Sequence, residues 1–144
     1  MRTVALDTSV VIAALLAWHE HHEAAADAVS RALARDRVVL PVPVLIESYS
    51  VMTRLPAPHR LTAADAWAVL SESFREPAHL ASFPTREAWG LVRQLSENEL
   101  AGGLVYDAVI LEAAREGGAS ILLTFNERDY ERLDRDGVEI VVPS

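Results

Sequence analysis

A few oxygen-bearing side chains in this chain have positions that suggest chemistry. In Val4-Ala5-Leu6-Asp7-Thr8-Ser9-Val10 an apolar run stops at one carboxylate followed by two hydroxyls. The run reads as a strand and the next segment as a helix, which puts Asp7 at a strand-to-helix crossing, the place where open α/β sheets bind ligands. Glu47, in Val44-Leu45-Ile46-Glu47-Ser48-Tyr49, follows Pro43 by one helical turn, about 6 Å along the axis. Asp107 interrupts Leu104-Val105-Tyr106-Asp107-Ala108-Val109-Ile110-Leu111, a segment apolar almost all round and therefore expected to be buried. Asp is rarely buried unless paired or metal-bound. Asn126 falls just past the apolar run that ends at Thr124, and Asp129 comes three residues later.

Each residue alone has an ordinary explanation. Asp7 could be a cap, Glu47 and Asp107 favourable charges near helix N-termini, and Asn126 and Asp129 turn formers. Together they converge on one sheet edge. Carboxylates crowded there repel one another unless a cation joins them. A set of hard oxygen donors in a chain with no cysteine suits Mg²⁺ or Mn²⁺ rather than Zn²⁺.

The elements that must position these residues alternate between strand and helix. Strands are expected at Arg2 to Leu6, Arg37 to Pro41, Ala78 to Phe83, Ser120 to Thr124 and Val138 to Val142. Helices are expected at Ser9 to Leu16 with Thr8 or Ser9 as N-cap, at His21 to Ala34, and at Val44 to Leu55 after Pro43. Further helices are expected at Thr62 to Phe74 capped by Thr62, Thr85 to Leu95 capped by Thr85, and Leu104 to Glu116. A loop and short helix should span Asn126 to Leu133. Gly117-Gly118 closes the long late helix. This alternation implies a parallel or mostly parallel sheet covered on both faces.

The 144 residues suit one domain, 1–144, with room for a core. Half the residues are hydrophobic (51%) and the net charge is −8. That balance argues against a general, sequence-independent nucleic-acid binder, which would be basic. It leaves open a metal-dependent nuclease, whose site is itself acidic. All 13 basic residues are Arg, a side chain suited to bidentate phosphate or carboxylate contacts. No run approaches the ~20 apolar residues of a membrane span, and no signal-peptide pattern opens the chain, so cytoplasmic residence is expected.

In the order and spacing of Leu6-Asp7-Thr8-Ser9-Val10, Val44-Leu45-Ile46-Glu47, Tyr106-Asp107-Ala108-Val109-Ile110 and Leu123-Thr124-Phe125-Asn126-Glu127-Arg128-Asp129-Tyr130, the chain resembles the PIN-domain family, specifically the VapC toxins of type II toxin–antitoxin modules. The resemblance covers essentially the whole chain. It implies a Rossmann-like three-layer α/β/α sandwich with a mostly parallel sheet, and Mg²⁺- or Mn²⁺-dependent endoribonuclease activity on tRNA, rRNA or mRNA. It also implies homodimerisation, a VapB-type antitoxin that covers the site, and contact with DNA only through the antitoxin complex.

The resemblance carries Asp7, Glu47 and Asp107 onto the family's acidic triad. The fourth corner goes to Asn126, with Asp129 as alternate. Asp7 and Asp107 would hold the ion, and Glu47 would complete the shell or orient water. In-line attack would leave a 5′-phosphate and a 3′-hydroxyl. Other readings are a PIN nuclease of RNA processing and a non-catalytic binding module. A dehalogenase-like phosphatase would need an acid where Ser9 stands.

Three further features have plain readings. His19, His21 and His22 look like a solvated helix start. Trp18, Trp67 and Trp89 look like core or subunit-contact residues rather than residues that stack on bases. Arg54, Arg86, Arg93 and Arg128 are surface arginines that could line the rim of the site. The apolar helices at Val10 to Leu16 and Thr62 to Phe74 suit a dimer or antitoxin surface.

Overall fold

The computed structural model describes all 144 residues. Five strands form one sheet: β1 (Thr3–Leu6), β2 (Arg37–Pro41), β3 (His79–Ala81), β4 (Ile121–Leu123) and β5 (Glu139–Val141). Their order is β3-β2-β1-β4-β5, and every pairing is parallel. The helices are α1 (Thr8–Leu15), α2 (His22–Arg35), α3 (Val42–Thr53), α4 (Ala63–Phe74), α5 (Ala88–Glu97), α6 (Gly103–Glu116) and α7 (Glu127–Glu131).

Register explains the apolar strands. Val4 is level with Val38 and Ile121, while Ala5 is level with Val39 and Leu122. Alternate residues face opposite sides, yet Val4, Ala5, Leu6, Val38, Val39 and Leu40 are all buried. Both faces are therefore covered, as a parallel sheet with helical crossovers requires. On the Val39 face the end of α6 comes down onto β2 and β3. Arg37 Nη1 donates to the Gly117 carbonyl at 2.8 Å, and a Cβ on Gly117 would lie 2.7 Å from Val39 Cγ1 and 2.9 Å from the Ala81 Cβ. On the opposite face Ala28 and Ala32 of α2 approach Val4 and Leu123.

The chain leaves β1 to build β2 and β3 on one side, then returns to lay β4 and β5 on the other. The reversal lies between β1 and β4. At that point the Asp7 amide donates to the Leu123 carbonyl at 2.9 Å. A crevice opens there at the carboxyl ends of the strands.

The expected elements form with small shifts at their ends, and the capping assignments divide. Thr62 caps α4 as expected, accepting from the Asp65 amide at 3.1 Å. Thr85 does not cap a helix. It opens a 3₁₀ turn, Thr85–Glu87, closed by the Glu87 amide on the Pro84 carbonyl at 2.9 Å, so α5 starts only at Ala88. Thr8 and Ser9 do not cap α1 either. The N-cap is Asp7, whose extended backbone offers its carbonyl to the Val10 and Val11 amides at 3.1 Å each.

The contact at Gly117 sets a packing limit. Gly117→Ala should lower stability by about 1–3 kcal/mol through overpacking. Gly90→Ala, in α5 with no atom within 4 Å of the added Cβ, should raise it by about 0.5–1 kcal/mol through helix propensity. Urea unfolding of the two variants checks the opposite signs.

Candidate active site

Asp7 is held at the crevice by two neighbouring segments. The Thr124 hydroxyl, just past β4, donates to Asp7 Oδ2 at 2.5 Å. The Tyr130 hydroxyl, from α7, donates to Oδ1 at 3.1 Å. Ser9 Oγ lies 3.3 Å from Oδ2 and 3.3 Å from Thr124 Oγ1. The same hydroxyls fasten the β4–α7 turn, because Ser9 Oγ accepts from the Phe125 amide at 3.0 Å and Thr124 Oγ1 accepts from the Asn126 amide at 2.9 Å. Ser9 and Thr124 thus serve the carboxylate and the opposite loop rather than a helix end.

Asp7, 3% exposed, forms part of the wall of an open cavity of about 460 Å³. Glu47, half-buried in α3, and Asp107, half-buried in the second turn of α6, line it too, as do Asn126, Thr8 and Ser9. β2 runs straight into α3, which carries Glu47 to the carboxyl edge of the sheet. Gly102, at φ +63°, turns the chain into α6. All four predicted site residues therefore face one cavity. Asp129 does not line it, but its charge is felt there.

Burial pushes the Asp7 carboxyl above the usual Asp range. It outweighs the hydrogen bonds from Thr124, the Thr8 backbone, Tyr130 and Ser9, all of which favour the charged form. Asp107 is pushed up to about 6, first by burial and then by the negative charges of Asp7, Asp129 and Glu47. Burial and the neighbouring Asp7 raise the Tyr130 phenol, which keeps its proton and remains a donor.

No arginine lines the cavity, so Arg54, Arg86, Arg93 and Arg128 are not part of its wall. Arg93 instead pairs with Glu97 one turn on, at 2.9 Å. The Thr8 hydroxyl is buried at the cavity wall with no protein partner. The donors are oxygens without a compensating cation, and the orphaned Thr8 hydroxyl adds one more, a composition that fits a hard divalent ion. The carboxylates stand around the cavity rather than converged, and no three acidic or histidine side chains already form a cation-holding group.

Several sequence expectations change here. Asp107 is not enclosed, because the start of α6 faces the cavity and Tyr106 is 68% exposed. His19 and His21 are not merely a solvated helix start, since both line the cavity. Trp18, Trp67 and Trp89 are all exposed and none is in the core. The α1 residues Val10, Val11 and Ile12, and Leu16 just past its end, are buried inside the chain and offer no free apolar face. α4 does, through Trp67. Tyr130 was missed as a functional residue. Its signal was available: it lies four residues after Asn126, one turn along a short helix whose other side chains are charged.

The raised Asp107 carboxyl gives a pH dependence. A group with a raised folded pKa adds stability below its unfolded value, about 4, and that stability is lost as pH climbs through about 6. The metal-free protein should therefore melt lower at pH 7.5 than at pH 4.5 on this account. Asp107→Asn should flatten the profile and raise Tm at pH 7.5 by roughly 2–4 °C. Calorimetric Tm against pH for the two chains checks this.

Known proteins share this frame. Residues 4–136 match the PIN domain. Ribonuclease VapC40 of Mycobacterium tuberculosis is 36% identical, with 95% of this chain and 96% of that protein aligned. Ribonuclease VapC27 of the same organism is 39% identical, over 96% of each chain. Among solved structures, VapBC2 from Rickettsia felis, bound to a DNA fragment from its promoter, superimposes with a TM-score of 0.70 at 15% identity, over 99% of both chains. Mycobacterium tuberculosis VapC20, a sarcin–ricin loop cleaving toxin, does so at 0.67 and 18% identity, over 89% of this chain and 93% of that one. With its three-layer fold and relatives matched almost end to end, this chain belongs to the PIN-domain family.

Proposed function

We propose that this protein is an endoribonuclease, the toxin of a type II toxin–antitoxin pair, that cuts RNA at the crevice between β1 and β4 and so inhibits translation. The observation that carries this reading is Asp7, a buried carboxylate with three hydroxyls on its oxygens and two more acids across one cavity. Near full-length likeness to two proteins named ribonucleases supports it.

Asp7, Glu47 and Asp107 would hold Mg²⁺ or Mn²⁺, with the Thr8 hydroxyl and the Asn126 amide as further oxygen donors to the ion or its water. Such an ion, when bound, lowers the pKa of a bound water and neutralises charge building on the phosphoryl oxygens. The chain's own residues supply the placement. Thr124, Tyr130 and Ser9 fix the Asp7 oxygens. Asp107, at about 6, is mostly ionised at neutral pH. Water attacks the phosphorus and the bond to the 3′-oxygen breaks, leaving a 3′-hydroxyl and a 5′-phosphate.

A small antitoxin of the VapB type and a second copy of the chain are the expected protein partners, with DNA reached only through the antitoxin. An apolar groove of about 380 Å³ between α3, α4 and β3, with Ile46, Tyr49, Trp67 and Leu80 exposed along it, supports a protein contact on that side. No helix is long and apolar enough to cross a membrane.

Asp7→Asn removes the charge but leaves an oxygen for the neighbouring hydroxyls. It should fold, and it should lose cleavage of total RNA by roughly 10³-fold or more, given the several kcal/mol of charge stabilisation that depends on the ion. The wild-type chain should cut with Mg²⁺ or Mn²⁺ and stop with EDTA. Full activity in folded, contaminant-free Asp7→Asn protein would overturn the assignment.

A further inference from the structure

One wall of the cavity carries rings, with the exposed Glu20 carboxylate 3.4 Å from His21 Nε2 at its edge. His19, His21 and Phe125 line it beside the acids. His21 stacks on Phe125 with centroids 4.6 Å apart and planes 16° from parallel. His19 lies 5.7 Å from His21, and Trp18 lies 5.9 Å from His19. Trp18 in turn stacks on His59 at 4.1 Å and 24°. Five rings from three separate segments therefore run from the cavity wall out along the surface.

Burial does not explain this run, since Trp18 is 47% exposed and His21 and His59 are exposed as well. The backbone holds it in place. Between α1 and α2 the His19 amide donates to the Leu16 carbonyl and the His22 amide to the His19 carbonyl, each at 3.0 Å. The His21 amide donates to His19 Nδ1 at 3.0 Å. Phe125 is pinned by its amide on Ser9 Oγ, the hydroxyl that also touches Asp7.

A chain of net charge −8 with no arginine in the cavity has little cationic attraction to offer a polyanion there. Stacking needs no charge, because every base presents a π-face, and it is tolerant of sequence. Bases paired inside a helix are shielded from side-chain rings, whereas loops and ends splay them out. We propose that this run of rings is a base-stacking platform that seats unpaired nucleotides next to the scissile phosphate, with Trp18 and His21 as its principal contacts. The assignment rests on the nuclease reading.

The test measures binding apart from cleavage. Fluorescence anisotropy would compare folded Asp7→Asn protein with the same protein carrying Trp18→Ala, His21→Ala or, as control, Trp89→Ala, against a labelled unpaired RNA 12-mer and its perfect duplex. The 12-mer spans a site that the wild-type chain cuts. Unpaired RNA should bind more tightly than duplex. Trp18→Ala and His21→Ala should each weaken it by roughly 5–20-fold, and Trp89→Ala should leave it unchanged. Abasic substitutions beside the cut should reproduce the loss and remove the Trp18→Ala effect. In the active chain Trp18→Ala should raise KM with kcat within about twofold, as loss of uniform binding does, and Trp18→Phe should restore KM.

Unchanged affinity in both variants, or equal binding of duplex and unpaired RNA, overturns the platform while persistent RNA cleavage leaves the nuclease reading standing. Loss of binding to a purified protein partner with RNA affinity intact overturns it in favour of a protein contact. A wild-type chain that cuts no RNA overturns both readings.

Discussion

A carboxylate 3% exposed, with no arginine in the cavity beside it, is the constraint around which this molecule is organised. Burying an unpaired charge costs several kcal/mol even after relaxation, and hydrogen bonds offset only part of that. Three hydroxyls gather on Asp7, yet burial still dominates its proton affinity. The hydroxyls come from Ser9, Thr124 and Tyr130, so the demand of one side chain ties the β1–α1 crossing to the β4–α7 turn. Those segments meet because the strand order reverses between β1 and β4. Asp107 and Glu47 add charge of the same sign across the cavity. A site built this way is stable with protons or with a cation, and the proposed function uses the latter.

Much of this was legible in the chain itself. Strands buried on both faces lack polar alternation, and Val4 to Leu6 and Val38 to Leu40 show that. Pro43 and the Gly117-Gly118 pair marked one helix start and one helix end. Asp7, Glu47, Asp107 and Asn126 were each visible as polar residues at the carboxyl ends of strands or early in the helices beside them. What stayed hidden depends on long-range contact. That Ser9 would turn from capping to Asp7 and Thr124 follows only once β4 lies against β1, 115 residues away in sequence. Tyr130 reads as one more ring until α7 folds it under Asp7. The exposure of Trp18 and the approach of His59 to it join two loops that no local pattern links. Asp107 was expected to be enclosed because its helix looked apolar all round, but the helix starts at a cavity and only its later turns are covered.

The acidity of the chain bears on how it meets a phosphate polymer. A carboxylate site offers phosphate no attraction until a cation bridges the two, and the cavity contains no arginine to do so. On the proposed function, recognition of RNA would be divided between a cation held by the carboxylates and the rings proposed to stack on bases. Such a division would let an acidic protein act on an acidic polymer, and it predicts weaker salt dependence than a basic groove would show.

The central claim is that the raised carboxyls are proton-holding forms of a cation site. Calorimetric titration with Mn²⁺ at pH 6, in two buffers of different ionisation enthalpy, measures the protons released on binding. With Asp107 near 6, half of that group is protonated at this pH, so binding should release about half a proton from it and more if Asp7 contributes. Mn²⁺ binding without proton release, or no Mn²⁺ binding at all, would contradict the account.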